Sequence, residues 1–238
     1  MTTTSGPLPG AAAASRVRAA LFDVDGTLTD TNPLHVTSWW EAFRQAGHTV
    51  PMHTVHHALG LPGPALLERL LGKGHDQEEK DGISAAHDAL YATYFDRIAA
   101  LPRAGDLLHA LAADGWRIVL VTSASGAELS ALRRAVDADD AIRATTSADD
   151  VERGKPHPEP VHRALELAGA APDRAVLVGD SVWDMQAGRR ASVNCCVGLL
   201  CGGVPAEDLR SAGADSVVRD PAELLHSLGS GPFSRITA

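Results

Sequence analysis

From residue 17 onward, short β-branched runs alternate with longer stretches whose apolar residues recur at helical spacing, and few folds accommodate that alternation. Strands are predicted over 17–22, 116–121, 174–178, 195–198 and 215–218, the first running directly into Asp23. Helices are predicted over 103–113, which Gly115 ends, and over 128–136, 158–168, 184–191 and 222–228, the last opened by Pro221. Strands joined through helices run parallel, and a parallel sheet needs helices on both faces. The expected fold class is α/β, with a Rossmann-like parallel sheet core. One block breaks the pattern. Residues 34–100 hold helical stretches at 36–46, 65–71 and 79–98 and no strand, separated by turns such as Gly60-Leu61-Pro62-Gly63-Pro64. We expect a core formed by 17–33 and 101–238, an inserted all-helical unit at 34–100, and a flexible tail at 1–16.

With 45% hydrophobic residues in 238, the chain has ample material for a core. Its 30 acidic residues against 21 basic ones give a net charge of −9, which speaks against binding nucleic acid or an anionic membrane. No apolar run reaches membrane-spanning length, and the first residues do not read as a secretory leader. Cys195, Cys196 and Cys201 are odd in number and clustered, a poor disulfide framework that suits a reducing cytoplasm. A monomer is the default expectation.

The chemistry concentrates at strand ends. In Asp23-Val24-Asp25-Gly26-Thr27, two carboxylates at i and i+2 follow a buried strand and can converge on one site, where a hard cation such as Mg²⁺ suits them. Gly179-Asp180 and Asp184 also follow a strand. If the two strands are central, Asp180 approaches Asp23, and such crowding calls for a neutralising cation. Asp184 serves equally well as a cap for the helix it opens. Lysine occurs only at positions 73, 80 and 155, against 18 arginines, and Lys155 alone sits in a stiffened segment, Gly154-Lys155-Pro156-His157-Pro158. Thr122-Ser123-Ala124 supplies hydroxyls and backbone N–H groups ahead of a helix, a modest anion cradle.

These four pieces, in this order, resemble the haloacid dehalogenase-like superfamily of phosphatases and phosphotransferases. The resemblance runs from residue 17 onward and points to the subgroup with a helical cap, which includes β-phosphoglucomutases and phosphoglycolate phosphatases. It implies that Asp23 is the nucleophile that forms an aspartyl-phosphate, and that Asp25 is the general acid/base. Asp23, the Asp25 carbonyl and Asp180 would hold Mg²⁺, with Asp184 in support. Ser123, the Ala124 N–H and, as runner-up, Thr122 would bind the phosphoryl group, and Lys155 would offset its charge. True dehalogenases lack a second aspartate at position 25, so a leaving oxygen is expected. For Asp25 to act first as an acid, its pKa is expected to be raised by a neighbouring carboxylate or by cap closure.

Thr29-Asp30-Thr31, His35 and Trp39 resemble the mutases, and His35 is placed to touch Asp25, with a hinge-packing role equally open. Those mutases grip a second phosphate with a cap arginine, whereas this chain has glycine in the corresponding turn, leaving Arg69 as a substitute. The expected function is thus hydrolysis of a small phosphorylated metabolite. A sugar phosphate mutase is the first alternative, and a non-enzymatic phosphorylatable switch the second. His53, His56 and His57 read as a solvated loop, Cys195 and Cys196 as buried small hydrophobes, and Trp183 as packing near Asp184. Arg44, Glu68, Arg69 and Arg97 spell no particular substrate. Hinges are expected near 32–33 and 101–102.

Overall fold

The computed structural model describes residues 16–236; most of the tail expected at 1–16 lies outside them. Six parallel strands form one sheet: β1 (Ala19–Phe22), β2 (Arg117–Val121), β3 (Ile142–Thr146), β4 (Ala175–Gly179), β5 (Cys195–Leu199) and β6 (Ser216–Val218). Their order is β3-β2-β1-β4-β5-β6, so the order reverses between β1 and β4, where α/β sheets open a crevice at the strands' carboxyl ends.

Among the described residues ten α-helices accompany them. Four follow β1: α1 (Asn32–Gln45), α2 (Met52–His56), α3 (Gly63–Leu71) and α4 (Gln77–Ala92). The rest are α5 (Ala104–Ala113), α6 (Gly126–Val136), α7 (Glu159–Ala168), α8 (Val182–Arg190), α9 (Ala206–Ala212) and α10 (Pro221–His226). Period-two alternation sorts the strands' side chains. Ala20, Phe22, Ile118, Leu120, Val176 and Val178 pack with Leu107, Leu111, Leu132 and Leu224, which places α5, α6 and α10 on one face. Leu21, Val119, Val121, Leu177 and Cys196 pack with Val161, Leu165, Met185 and Leu209 of α7, α8 and α9 on the other. Both Cys195 and Cys196 are buried, as expected.

Helices α1–α4 bury a separate cluster built on Trp39, Phe43, Val55, Leu66, Leu67 and Ile83. Its connections to the sheet run side by side: the Asp30 N–H donates to Ala99 O at 3.0 Å and the Leu101 N–H to Leu28 O at 2.8 Å. Asn32, at one of the expected hinges, is buried at the first turn of α1.

Three elements escape the hydrophobic pattern. Strand β3 is an edge strand whose Arg143, Thr145 and Thr146 carry no apolar alternation, and its register with β2 shifts after Ile118. Helix α9 buries a single residue, Leu209. Helix α2 includes His53 and His56 in place of the expected loop and buries only Val55. The helix expected to 98 stops at Ala92, and one 3₁₀ turn, Phe95–Arg97, follows.

Glu79 in the first turn of α4 ties the helical layer together. One carboxylate oxygen accepts from His48 Nε2 at 2.7 Å and the other from His75 Nδ1 at 2.7 Å. These hydrogen bonds hold the Glu79 carboxyl below its ordinary value of 4.5. A carboxyl whose folded pKa is depressed contributes stability above the unfolded value and loses it as pH falls through the folded one. The melting-temperature gap between the wild type and Glu79→Gln is therefore expected to be widest above about pH 4.5 and to close toward pH 3. Thermal melts of both proteins across that range check this; a gap that stays constant would contradict it.

Candidate active site

Backbone register explains why residues 157 positions apart meet. Phe22 on β1 pairs with Val178 on β4, so the chain leaves both strands side by side, and the Asp23 N–H donates to Val178 O at 2.9 Å. Asp180, one residue beyond β4, therefore stands beside Asp23. The Thr27 hydroxyl reaches both carboxylates, Asp23 Oδ2 at 3.0 Å and Asp180 Oδ1 at 3.1 Å. Asn32 Nδ2 donates to the other Asp180 oxygen at 2.8 Å and to Gly202 O at 3.1 Å. Two glycines make room for this carboxylate. Gly26 turns the chain at φ +74°, and a Cβ at Gly26 or Gly202 would overlap Asp180 Oδ2.

Lys155 enters from the segment before α7; its peptide bond to Pro156 is cis. It is buried, with Nζ 2.5 Å from Asp23 Oδ1, 2.7 Å from Asp184 Oδ1 and 2.7 Å from Val121 O. Burial opposes its charge, but the Asp184 and Asp23 carboxylates outweigh burial and hold its pKa above the ordinary lysine value. Asp184 is not the cap residue expected from the sequence: Ser181 caps α8, and Asp184 is the third helical residue that answers it. Its Oδ2 accepts from the Ser181 N–H and hydroxyl in a capping box at the start of α8, while Oδ1 faces Lys155.

Carboxylate oxygens of Asp23, Asp180 and Asp184 lie within 4.8 Å of one another. The Lys155 ammonium touches two of the three, Asp23 and Asp184, and negative charge remains in excess. Burial, with the nearby Asp184 and Asp25 charges, pushes Asp23 up to about 7 against the pull of Lys155. Burial and the Asp23 and Asp184 charges raise Asp180 well above the usual range. An all-oxygen donor set with uncompensated negative charge fits Mg²⁺.

Asp25 departs from expectation. Burial alone would raise its pKa, but the His35 hydrogen bond and charge, the Thr31 hydroxyl at 2.7 Å and Lys155 together lower it. The raised value expected from the sequence is thus corrected, because a cation and a hydroxyl face this carboxylate. His35 Nε2 lies 3.3 Å from Asp25 Oδ1 and 3.7 Å from Glu128 Oε1. Burial opposes the His35 cation, but Asp25 and Glu128 raise its pKa. The tautomers follow from the chain of contacts. His87 Nδ1 donates to Asp88 Oδ1 at 3.0 Å, which leaves His87 Nε2 to accept from His35 Nδ1 at 3.2 Å. His35 also stacks on Tyr91, with ring centroids 3.8 Å apart.

At the end of β2, Thr122 Oγ1 accepts from the Ala124 N–H at 3.0 Å, and Ser123 is exposed at the cavity. The cavity, about 390 Å³, lies between the strand ends and the helical layer, lined by Asp23, Asp25, Lys155, Asp180, Thr122, Ser123 and His35. All predicted site residues except Ala124 and Asp184 line it, and those two contact lining residues. Other candidates are elsewhere. Arg69 lies over Trp183 at 5.1 Å, Arg97 over Tyr94, and Arg44 bonds Thr49. His56 Nε2 donates to Gly202 O at 2.8 Å rather than joining His53 and His57 in a site.

Sequence reasoning missed Asn32, His87 and Glu128. His87 had a signal: it occupies the buried stripe Ile83-His87-Tyr91 of α4, where a polar residue needs a partner. Asn32 and Glu128 carry no such mark.

A model of the haloacid dehalogenase-like hydrolase family matches residues 17–192. Pyrophosphatase PpaX of Anoxybacillus flavithermus is 28% identical over 225 residues, covering 90% of this chain and 97% of that protein. A phosphoglycolate phosphatase of Nitrosospira multiformis is 30% identical over 181 residues, covering 74% and 80%. A crystal structure of a hydrolase from Pseudomonas syringae superposes with a TM-score of 0.85 at 32% identity, covering 93% of this chain and all of that one.

Proposed function

The chain belongs to the haloacid dehalogenase-like hydrolase family, and from that premise we propose that it hydrolyses a small phosphomonoester through an aspartyl-phosphate on Asp23. The observation that carries this is the placement of Asp23 and Asp180 at adjoining strand ends, with a hydroxyl bridging the two carboxylates and Lys155 against Asp23. Asp23, Asp180 and the Asp25 carbonyl, supported by Asp184, would hold Mg²⁺. Bound there, the ion offsets carboxylate charge and polarises a phosphoryl oxygen.

An Asp23 oxygen attacks phosphorus and the P–O bond to the leaving alcohol breaks. Lys155 donates to the phosphoryl oxygens as they become equatorial, and Ser123 and the Ala124 N–H donate to them from the end of β2. The Ala124 N–H must exchange Thr122 Oγ1 for a phosphoryl oxygen when substrate arrives. The proton for the leaving oxygen comes from the Asp25–His35 pair. At rest it resides on His35 Nε2, 3.3 Å from Asp25 Oδ1, and it passes to Asp25 as the phosphoryl dianion raises that carboxyl's proton affinity. In the second half Asp25 takes a proton from water, which attacks phosphorus and frees Asp23 and inorganic phosphate.

Hydrolysis is favoured over a mutase because the turn that would grip a second phosphate cannot do so. Gly60 has φ +88°, and a Cβ there would stand 2.7 Å from Ser181 Oγ. Among the described residues no helix is long and apolar enough to cross a membrane, and the three cysteines are free. A cytoplasmic monomer acting on a soluble metabolite is part of the proposal.

Hydrolysis of p-nitrophenyl phosphate tests it. Turnover with Mg²⁺ is expected to fall by about 100-fold or more in EDTA. With β-glucose 1-phosphate and a trace of glucose 1,6-bisphosphate, inorganic phosphate is the expected product. Metal-independent turnover, glucose 6-phosphate without phosphate release, or stoichiometric labelling without turnover would each overturn the proposal.

A further inference from the structure

Beyond the phosphoryl site, acidic side chains outnumber basic ones along the cavity. Asp88 on α4, Glu128 on α6 and Glu152 ahead of α7 line it, beside neutral Ser84 and the apolar wall of Trp39 and Leu61. Among the described residues lining it there is no arginine, and its one lysine, Lys155, is engaged by Asp23 and Asp184. The two imidazoles are also committed. His35 lies between Asp25 at 3.3 Å and Glu128 at 3.7 Å, and His87 Nδ1 faces Asp88 at 3.0 Å. Arg69 is stacked on Trp183. Two glycines of the lining have no room for a longer side chain: a Cβ at Gly60 meets Ser181, and one at Gly154 would overlap Pro62.

A second phosphate or a carboxylate on the leaving group would enter this half-enclosed space against the Asp88 and Glu152 carboxylates and beside Glu128, whose pKa burial and the Asp25 charge push up to about 7, while the cations nearby, Lys155 and His35, are already paired with carboxylates. An ammonium or a set of hydroxyls finds acceptors there instead.

We infer that the phosphoryl group is the only anion this site accepts, and that the leaving group is an alcohol with no second negative charge, favoured further by an ammonium. The inference rests on the phosphatase proposal above and names its substrate class. It also separates this chain from the pyrophosphatase and phosphoglycolate phosphatase it resembles in sequence.

The test is kcat/KM of the Mg²⁺-loaded protein on phosphoethanolamine, glycerol 3-phosphate, 2-phosphoglycolate and pyrophosphate, with p-nitrophenyl phosphate as reference. The first two are expected to exceed the anionic pair by about tenfold or more. In Glu152→Lys, at the exposed rim, the ratio of phosphoglycolate to glycerol 3-phosphate is expected to rise about fivefold, and less in high salt. Phosphoglycolate or pyrophosphate turned over as well as glycerol 3-phosphate would overturn the inference while p-nitrophenyl phosphate turnover upholds the phosphatase proposal. A Glu152→Lys ratio that does not move would also count against it. Failure to hydrolyse any of the five would overturn the phosphatase proposal, and this inference with it.

Discussion

Asp23→Asn is expected to lower phosphatase turnover by about 10⁴-fold or more while leaving the fold intact. The amide has the carboxylate's shape, so Thr27 and Val178 keep partners, but its oxygen is too weak a nucleophile to attack phosphorus. Stability is expected to hold or rise. Asp23 shares Lys155 with Asp184 and lies beside Asp180, and burial, which pushes its pKa up to about 7, means that its charged form is held at a cost. Lys155 retains Asp184 at 2.7 Å and Val121 O. Activity and thermal unfolding measured on the same preparation check the pair of outcomes. Residual turnover above a few per cent would remove Asp23 from the nucleophile's role, and collapse of the fold would make it structural.

Lys155→Met is expected to cost about 3–5 kcal/mol at pH 8, because it leaves buried Asp23 and Asp184 without their cation. For a domain of this size that lowers the melting temperature on the order of 10 °C. The deficit has a definite pH dependence. Without the ammonium, which pulls it down, the folded-state pKa of Asp23 lies further above its unfolded value near 3.8. A group whose folded pKa is raised keeps its full contribution below the unfolded value and loses it as pH rises through the folded one. The gap to the wild type should therefore widen from pH 5 to pH 8 and narrow in acid. Added Mg²⁺ should recover part of the stability at pH 8, and turnover should remain at least about 100-fold down. A gap independent of pH would mean that Lys155 contributes packing rather than charge.

Much of this was legible in the sequence. Strands β1, β2, β4 and β5 are buried on both faces, so they read as apolar runs, and each catalytic candidate could be located by the run it follows. Lys155 stood out because lysine is scarce and its neighbours are rigid. What escaped lacks a local signature. Edge strand β3 buries little, and α9 only Leu209, so neither needs a periodic pattern. Asn32 acquires its role only because α1 starts beside Asp180, and Glu128 because α6 starts beside His35. The direction of the Asp25 shift was misjudged for the same reason. His35 was recognised as a neighbour, but how far its cation and the Thr31 hydroxyl outweigh burial depends on distances that only the folded chain provides.

The paired crossings at Asp30–Ala99 and Leu28–Leu101 have a consequence for descent. A segment that departs and returns at neighbouring points is a cassette: it can lengthen, shrink or be exchanged without rethreading the sheet or disturbing strand order. Selection can then rewrite which molecules are admitted while the apparatus that cleaves them stays in place. Diversification in such an architecture proceeds by changing the door and keeping the engine.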